Sequence, residues 1–381
     1  MAMDRLFRLM QEKNAADMFL TADSPIHIKI KGQLIAVNQQ LMDTPTIMML
    51  LKEVVPSTQL ADLDRDGELN MGLPVPGVGN FRLSAFKQRG NISAVIRYIP
   101  ANIPPFESLG LPPVLTELIA RKRGLLLVVG ATGSGKSTTI ASMLNERNKT
   151  QTGHILTLED PIEFLFKNER SIINQREIGT DTNSLNAALR NALRQAPDCI
   201  LIGEIRDKET MTAALAYAQS GHLVVSTLHA NNTYRALNRV ISFYPLENRP
   251  ALLEDLASTL TAIVSQRLVT DVDGERVPAV EIMQNTRYIA ELIEEGKISQ
   301  IKEAMEKSLA PGSMTFEQAL MQLIEAGIIS QQEALSHADS PSNLYWLINN
   351  QKSPNKKAEP APVVEPEKTE GATFTEFSLN F

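Results

Sequence analysis

Eight residues, Gly130-Ala131-Thr132-Gly133-Ser134-Gly135-Lys136-Ser137, place glycines, a lysine and a hydroxyl at the spacing that a phosphate site requires. They follow the apolar run Leu125 to Val129 and lead into Thr138-Thr139-Ile140-Ala141-Ser142-Met143-Leu144. A short apolar run reads as a buried strand, and the segment 136–147 reads as a helix. Glycine lets backbone N–H groups turn inward on an anion without a Cβ in the way. The helix start adds unpaired donors and a partial positive charge. Lys136 can reach β- and γ-phosphates, and the Ser137 hydroxyl can ligate Mg²⁺, so the chemistry implied is recognition of a nucleoside triphosphate.

Transferring that phosphoryl group to water needs a metal, a positioned water and charge stabilisation. Two carboxylate groups stand where strands end. Ile200-Leu201-Ile202-Gly203-Glu204 is an apolar run closing on an acid. There Glu204 can orient a water, ligate magnesium through one, or simply be solvated. Leu156-Thr157-Leu158-Glu159-Asp160-Pro161-Ile162-Glu163-Phe164 puts three acids past the preceding strand. Crowded acids cost energy unless a cation shares them. Glu163 is the candidate general base, with Glu159 and Asp160 as supports. His222 and His229 bracket a further apolar run and can serve the nucleotide site and its neighbour, or be satisfied core groups; no third ligand completes a zinc set. Arginines recur at Arg82, Arg89, Arg97, Arg176, Arg190, Arg194 and Arg206. Most read as surface or salt-bridge residues, and one or two are candidates for reaching a γ-phosphate from a neighbouring subunit.

These groups need a scaffold. At 381 residues the chain has room for two domains and a small third, and 43% hydrophobic with 21% charged residues is ordinary for a globular protein. A net charge of −7 argues against a broad nucleic-acid surface. The one cysteine, Cys199, lies in an apolar run and reads as a buried thiol. No run approaches the roughly 18 apolar residues of a membrane span, and the N-terminus carries no secretory pattern, so the expected address is the cytoplasm.

In chain order, residues 4–13 have helical spacing, Ile26 to Val37 read as a hairpin turning at Lys31-Gly32, residues 44–55 as a helix, and 81–86 with 92–98 as a second strand pair. Residues 1–100 are thus expected to form a small α+β domain. Pro100, Pro104, Pro105, Pro112 and Pro113 mark 101–123 as a linker. Strands at 125–129, 154–158, 199–203 and 223–227 alternate with helices at 136–147, 184–195 and 208–219, which implies an α/β core over 124–270 with a mostly parallel sheet. From Asn248 the signal reads as helical, with an apolar stripe of Leu252, Leu253, Leu256, Leu260 and Ile263, and 271–350 are expected to be a helical region. Residues 351–381 are rich in Pro, Lys and Glu and read as a disordered tail; its aromatic end, Phe374 to Phe381, fits a docking peptide and a frayed end equally.

Taken together, the motifs resemble the secretion-ATPase superfamily of type II secretion and type IV pili, and within it the pilus retraction ATPases of the PilT/PilU family. The resemblance covers about residues 1–345. It rests on the phosphate loop, the acidic box Glu159 to Phe164, Gly203-Glu204-Ile205-Arg206-Asp207 and the two histidines, in family order. It implies a PAS-like N-terminal domain joined to a RecA-like P-loop core, assembled as a homohexamer with ATP at subunit interfaces. Lys136 and Ser137, with the loop Gly130 to Thr138 and His229, would hold ATP and Mg²⁺. Glu163 and Glu204 would support hydrolysis, and Arg82 and Arg97 would contact nucleotide across the interface. The lone cysteine excludes the four-cysteine zinc site of extension ATPases. PilT proteins carry a helical Ala-Ile-Arg-Asn-Leu-Ile-Arg-Glu motif, whose counterpart here is Tyr288 to Glu295, with Ala290 and Glu294 in place of the arginines. That and the tail point to the PilU branch, working beside a PilT-type ATPase at an inner-membrane platform protein. A nucleotide-gated adaptor with dispensable hydrolysis, and a related secretion ATPase, are the competing implications.

Overall fold

The computed structural model of the chain describes residues 1–30, 32–99, 102–308 and 310–351. Lys31 of the expected turn, Pro100 of the proline-rich stretch and the expected tail from 352 lie outside these residues.

The N-terminal unit comprises α1 (Ala2–Glu12), β1 (Asp17–Leu20), β2 (His27–Ile30), β3 (Gln33–Ala36), α2 (Thr44–Lys52), α3 (Ser57–Asp66), β4 (Glu68–Val75), β5 (Gly79–Gln88) and β6 (Asn91–Ile99). Its strands form one antiparallel sheet in the order β3-β2-β1-β6-β5-β4. Alternation along β5 buries Phe81, Leu83 and Ala85 against Met3, Phe7 and Met10 of α1. The other face of β5 carries Arg82, which pairs in register with Arg97 on one side and Gly72 on the other.

The second unit comprises α4 (Val114–Ala120), β7 (Gly124–Val129), α5 (Lys136–Thr150), β8 (Gly153–Glu159), β9 (Ser171–Glu177), α6 (Leu185–Ala192), β10 (Cys199–Glu204), α7 (Lys208–Gln219), β11 (Leu223–Leu228), α8 (Thr233–Ser242), α9 (Arg249–Thr259), β12 (Leu260–Thr270), β13 (Arg276–Gln284) and the helices α10 (Arg287–Glu294), α11 (Ile301–Glu306), α12 (Phe316–Glu325), α13 (Gln331–His337) and α14 (Pro341–Gln351). The sheet order is β13-β12-β7-β11-β10-β8-β9, parallel except for the antiparallel edge β13. Both faces are covered. Leu125, Leu127 and Val129 of β7 enter the core under α7 and α9, and Leu126 and Val128 enter the core under α4 and α5. Burial on both faces is why the strand reads as an unbroken apolar run. Cys199 lies at 0% exposure in the same sheet, where burial pushes its thiol up to about 11.

The expected fold class, an α+β unit followed by a parallel P-loop core with C-terminal helices, is the one adopted. Two expectations are corrected. The stretch 101–123 is not only a linker: Pro105 and Pro113 precede a 3-10 turn (Phe106–Leu109) and α4, and Phe106, Leu111, Leu115, Leu118 and Ile119 are buried. Proline at a helix start forfeits no hydrogen bond, so the same residues that break elements open these two. The helical reading from Asn248 onward fails over β12 and β13. Leu260 and Ile263 continue the stripe of α9 in spacing, but the backbone turns extended at Leu260 (φ −60°, ψ 131°), and both belong to the sheet.

Candidate functional site

Parallel pairing brings the carboxyl ends of four strands to one edge. Val129 pairs with Leu228, Thr227 with Glu204, and Leu158 with Ile202. In open α/β sheets ligands bind beyond such ends. A cavity of about 480 Å³ lies there, walled by Thr132, Gly133, Lys136 and Ser137 of the loop and first turn, Glu159 at the end of β8 with Asp160 and Glu163 beyond it, Glu204 at the end of β10 with Arg206 beyond it, and His229 after β11.

The loop between β7 and α5 is shaped by close approaches. Gly135 has φ +85°, and a Cβ there would lie 2.7 Å from Gln266 Nε2. A Cβ on Gly130 would lie 2.5 Å from the Gln266 carbonyl oxygen. Only glycine fits at these two points. The Ser134 hydroxyl is buried and has no hydrogen-bond partner among the described residues. Lys136 Nζ donates to the carbonyls of Gly130 (2.9 Å) and Ala131 (2.8 Å). Burial pulls its ammonium below the ordinary lysine range, and the charges of Glu204 and Glu163 oppose this.

The carboxylates are held differently from one another. Glu159 is half-buried and accepts from Thr157 Oγ1 (2.6 Å) and Gln175 Nε2 (3.2 Å); loss of solvent around it raises its carboxyl above the usual range. Glu163 is exposed within the cavity. Glu204 accepts from Arg206 Nε at 2.7 Å on one oxygen and faces His229 Nε2 at 3.3 Å on the other. The hydrogen bond to Glu204 and its charge hold the Arg206 guanidinium above its ordinary value. Asp207, next in the chain, accepts from Thr210 N at 2.8 Å and so starts α7.

Of the other residues singled out from sequence, Ser134 and Thr138 belong to the loop and first turn but do not line the cavity. The two histidines separate. His222 precedes the amino end of β11 and contacts Ser220 Oγ and the Tyr217 carbonyl. His229 lies past the carboxyl end, about 20 Å away along the strand, so of the two only His229 belongs to this cavity. Arg82 and Arg97 sit on the N-terminal sheet, and Arg97 donates to Asp17 at 2.8 Å. Neither these nor Arg176, Arg190 and Arg194 line the cavity.

One residue escaped the sequence reading. Gln266, in the middle of β12, is 3% exposed; its Nε2 donates to the Ser134 carbonyl (2.8 Å) and its Oε1 accepts from Thr139 Oγ1 (2.7 Å). It ties β12 to the loop and to the first turn of α5. Replacing it with leucine strands a buried carbonyl and a buried hydroxyl, each costing about 1–3 kcal/mol. Gln266→Leu is therefore expected to weaken nucleotide binding at least roughly tenfold, read by titration with a fluorescent ADP analogue. Unchanged affinity would remove the brace from the account.

Comparison with known proteins places this geometry. A family model described as type II/IV secretion system protein matches residues 3–334. The type IV pilus ATPase PilU of Pseudomonas aeruginosa is 43% identical over 349 residues, 91% of this chain and 91% of the relative. The type IV pilus retraction ATPase PilT of the same organism is 37% identical over 343 residues, 90% of this chain and 100% of the relative. The crystal structure of the pilus retraction motor PilT with bound ADP matches with a TM-score of 0.84 at 39% identity, covering 90% of this chain and 99% of that one. With its PAS-like N-terminal unit, its RecA-like core and the motif order along its strand ends, the chain belongs to the type II/IV secretion ATPase family, on the branch of the type IV pilus ATPases PilT and PilU.

Proposed function

We propose that this chain is an Mg²⁺-dependent ATP hydrolase that works as a homohexameric motor in type IV pilus retraction and twitching motility, alongside a PilT-type ATPase. The observation that carries the reading is the single cavity in which the phosphate-loop lysine meets acids from the ends of β8 and β10. The residues fit the substrate. The loop offers N–H groups, and Lys136 can exchange two carbonyl contacts for phosphate oxygens.

They fit magnesium as well. Among the described residues no group of three or more His, Cys, Asp or Glu side chains is placed to hold a metal alone. Mg²⁺ in nucleotide sites is held by substrate phosphates with one or two protein oxygens. Ser137, with Glu204 through a water, would be those oxygens, and the bound ion would offset charge on the phosphates. Glu163 takes the proton from the attacking water. Arg206 and His229 keep Glu204 in place. Thr138 and the rest of the loop, Gly130 to Ser137, position the triphosphate. Arg82 and Arg97 approach nucleotide from a neighbouring subunit, with Arg97 leaving Asp17 to do so.

Hydrolysis then moves the N-terminal unit against the core, and the hexamer turns this into pilin removal at an inner-membrane platform protein. Among the described residues no helix is long and apolar enough to cross a membrane. Attachment from the cytoplasmic side is therefore expected to depend on the platform protein. A second reading, an adaptor for the PilT-type partner with dispensable hydrolysis, draws on Ala290 and Glu294 in α10. Retraction in wild-type and Lys136→Ala strains, with and without the partner, separates the two. The motor reading expects the Lys136→Ala strain to behave as a null strain. Normal retraction by that strain would favour the adaptor.

A further inference from the structure

Glu177 closes the edge strand β9 and pairs in register with Glu159 of β8. Oε2 of its carboxylate accepts from Ile162 N at 3.1 Å, and Oε1 accepts from Thr180 Oγ1 at 3.0 Å. Its own N donates to Asp181 Oδ2, and its carbonyl accepts from Asp181 N, both at 2.8 Å. Ile162 immediately precedes Glu163, so this carboxylate fixes the loop backbone one residue from the group given the role of base.

The same carboxylate faces the other unit. A Cβ on Gly72 of β4 would lie 3.4 Å from both of its oxygens. A glycine inside a strand marks a place where another group approaches closely. A second cavity, of about 190 Å³, opens between the two units at this point; it is lined by Gly72, Leu73, Asn80, Glu163 and Glu177 among others, and Glu163 thus borders both cavities.

We propose that Glu177 is a positioning residue that sets the Glu163 loop according to where the N-terminal unit sits, with Gly72 as the point of contact. The inference rests on the hydrolytic reading given above. When β4 presses on the carboxylate, the carboxylate holds Ile162 N and Glu163 is placed for proton abstraction. When β4 withdraws, that hold loosens while the phosphate loop, on separate elements, keeps its nucleotide. The N-terminal unit would thereby gate chemistry and leave binding untouched.

The test is steady-state hydrolysis by the full chain, with nucleotide affinity measured separately by a fluorescent ADP analogue. Glu177→Ala is expected to lower kcat on the order of 10- to 100-fold while KM and analogue affinity stay within about twofold. Glu177→Gln keeps an acceptor for Ile162 N and is expected to recover to within about threefold of the parent. Gly72→Leu drives side-chain atoms beyond Cβ into the carboxylate and is expected to repeat the kcat loss, whereas Gly72→Ala, at ordinary van der Waals distance, stays within about twofold. Parental kcat in Gly72→Leu overturns the inference, as does equal loss in Glu177→Ala and Glu177→Gln. Should Glu177→Ala fail to fold, Gly72→Leu decides alone. A parent chain that does not hydrolyse ATP overturns the hydrolytic reading instead, and an active parent with indifferent variants overturns only the coupling.

Discussion

Glu204→Gln is expected to bind Mg·ATP as tightly as the parent and to hydrolyse it on the order of 10²–10³ times more slowly, the loss typical of removing one preorganised group from the reacting centre. The substitution keeps shape and removes charge. Arg206 donates to Glu204 at 2.7 Å and His229 stands 3.3 Å from its other oxygen, so the amide retains at least one partner and the local fold. What it loses is the negative oxygen that would order a water or a metal-bound water beside the γ-phosphate. Binding is spared because the groups that grip the phosphates lie in the loop between β7 and α5 and at the start of α5, and Glu204 would reach the metal only through a water. Single-turnover hydrolysis beside equilibrium nucleotide binding reads both quantities. Parental turnover in Glu204→Gln would strip the residue of its role and leave Glu163 as the only acid assigned to the chemistry.

The second large effect concerns pH. Glu281 of β13 is buried at 4% exposure; burial, opposed by its hydrogen bond from Thr233 N (2.7 Å) and reinforced by Asp339 and Glu317, raises its carboxyl from 4.5 to about 7. Arg267 pairs with Asp339, and Lys302 with Glu317 at 3.3 Å, so neither cation is free to serve Glu281. A carboxyl whose folded-state value is raised holds its proton more tightly folded than unfolded. Its contribution is fully present below about pH 4.5 and is lost as pH rises through 7. The difference corresponds to about 3 kcal/mol. Wild-type stability is expected to fall by this order between pH 4.5 and 8, and Glu281→Gln, which cannot ionise, is expected to lack that share of the slope. Denaturant midpoints at the two pH values measure it. Identical slopes in both proteins would show that Glu281 titrates as an ordinary surface acid. Thr233 begins α8, four residues after His229, so the same titration bears on the segment that carries His229 out of β11.

The chemistry was more legible than the scaffold around it. The phosphate loop and both acidic strand ends could be read because an apolar run stopped by glycine or acid has few alternatives in a parallel sheet. Leu252 to Ile263 misled because leucines three and four apart suit a helix face as well as the start of a strand buried on both faces. The missed signal was local: Asp273-Gly274 sits between two stretches rich in β-branched residues, and Gly274 takes φ +86° at the turn between β12 and β13. Losing β12 meant losing Gln266, whose function comes from position in the sheet and not from residue type. Glu281 was hidden for the same reason. Pro105 and Pro113 have the residue type of breakers, and only the burial of Leu115, Leu118 and Ile119 shows that they start elements. Arg82 and Arg97 illustrate the opposite case: they are conspicuous in the sequence, and their row on the N-terminal sheet places them clear of the cavity of their own chain.

The most direct measurement of the central claim is the binding of Mg·ATP to the purified chain and to Lys136→Ala, by equilibrium titration under conditions where the chain assembles. Saturable, magnesium-dependent binding by the parent, weakened at least roughly tenfold in the variant, is the predicted result. A parent chain that retains no Mg·ATP, or a variant that binds as well as the parent, would contradict the claim that this loop and the strand ends beside it form a nucleotide-hydrolysing site.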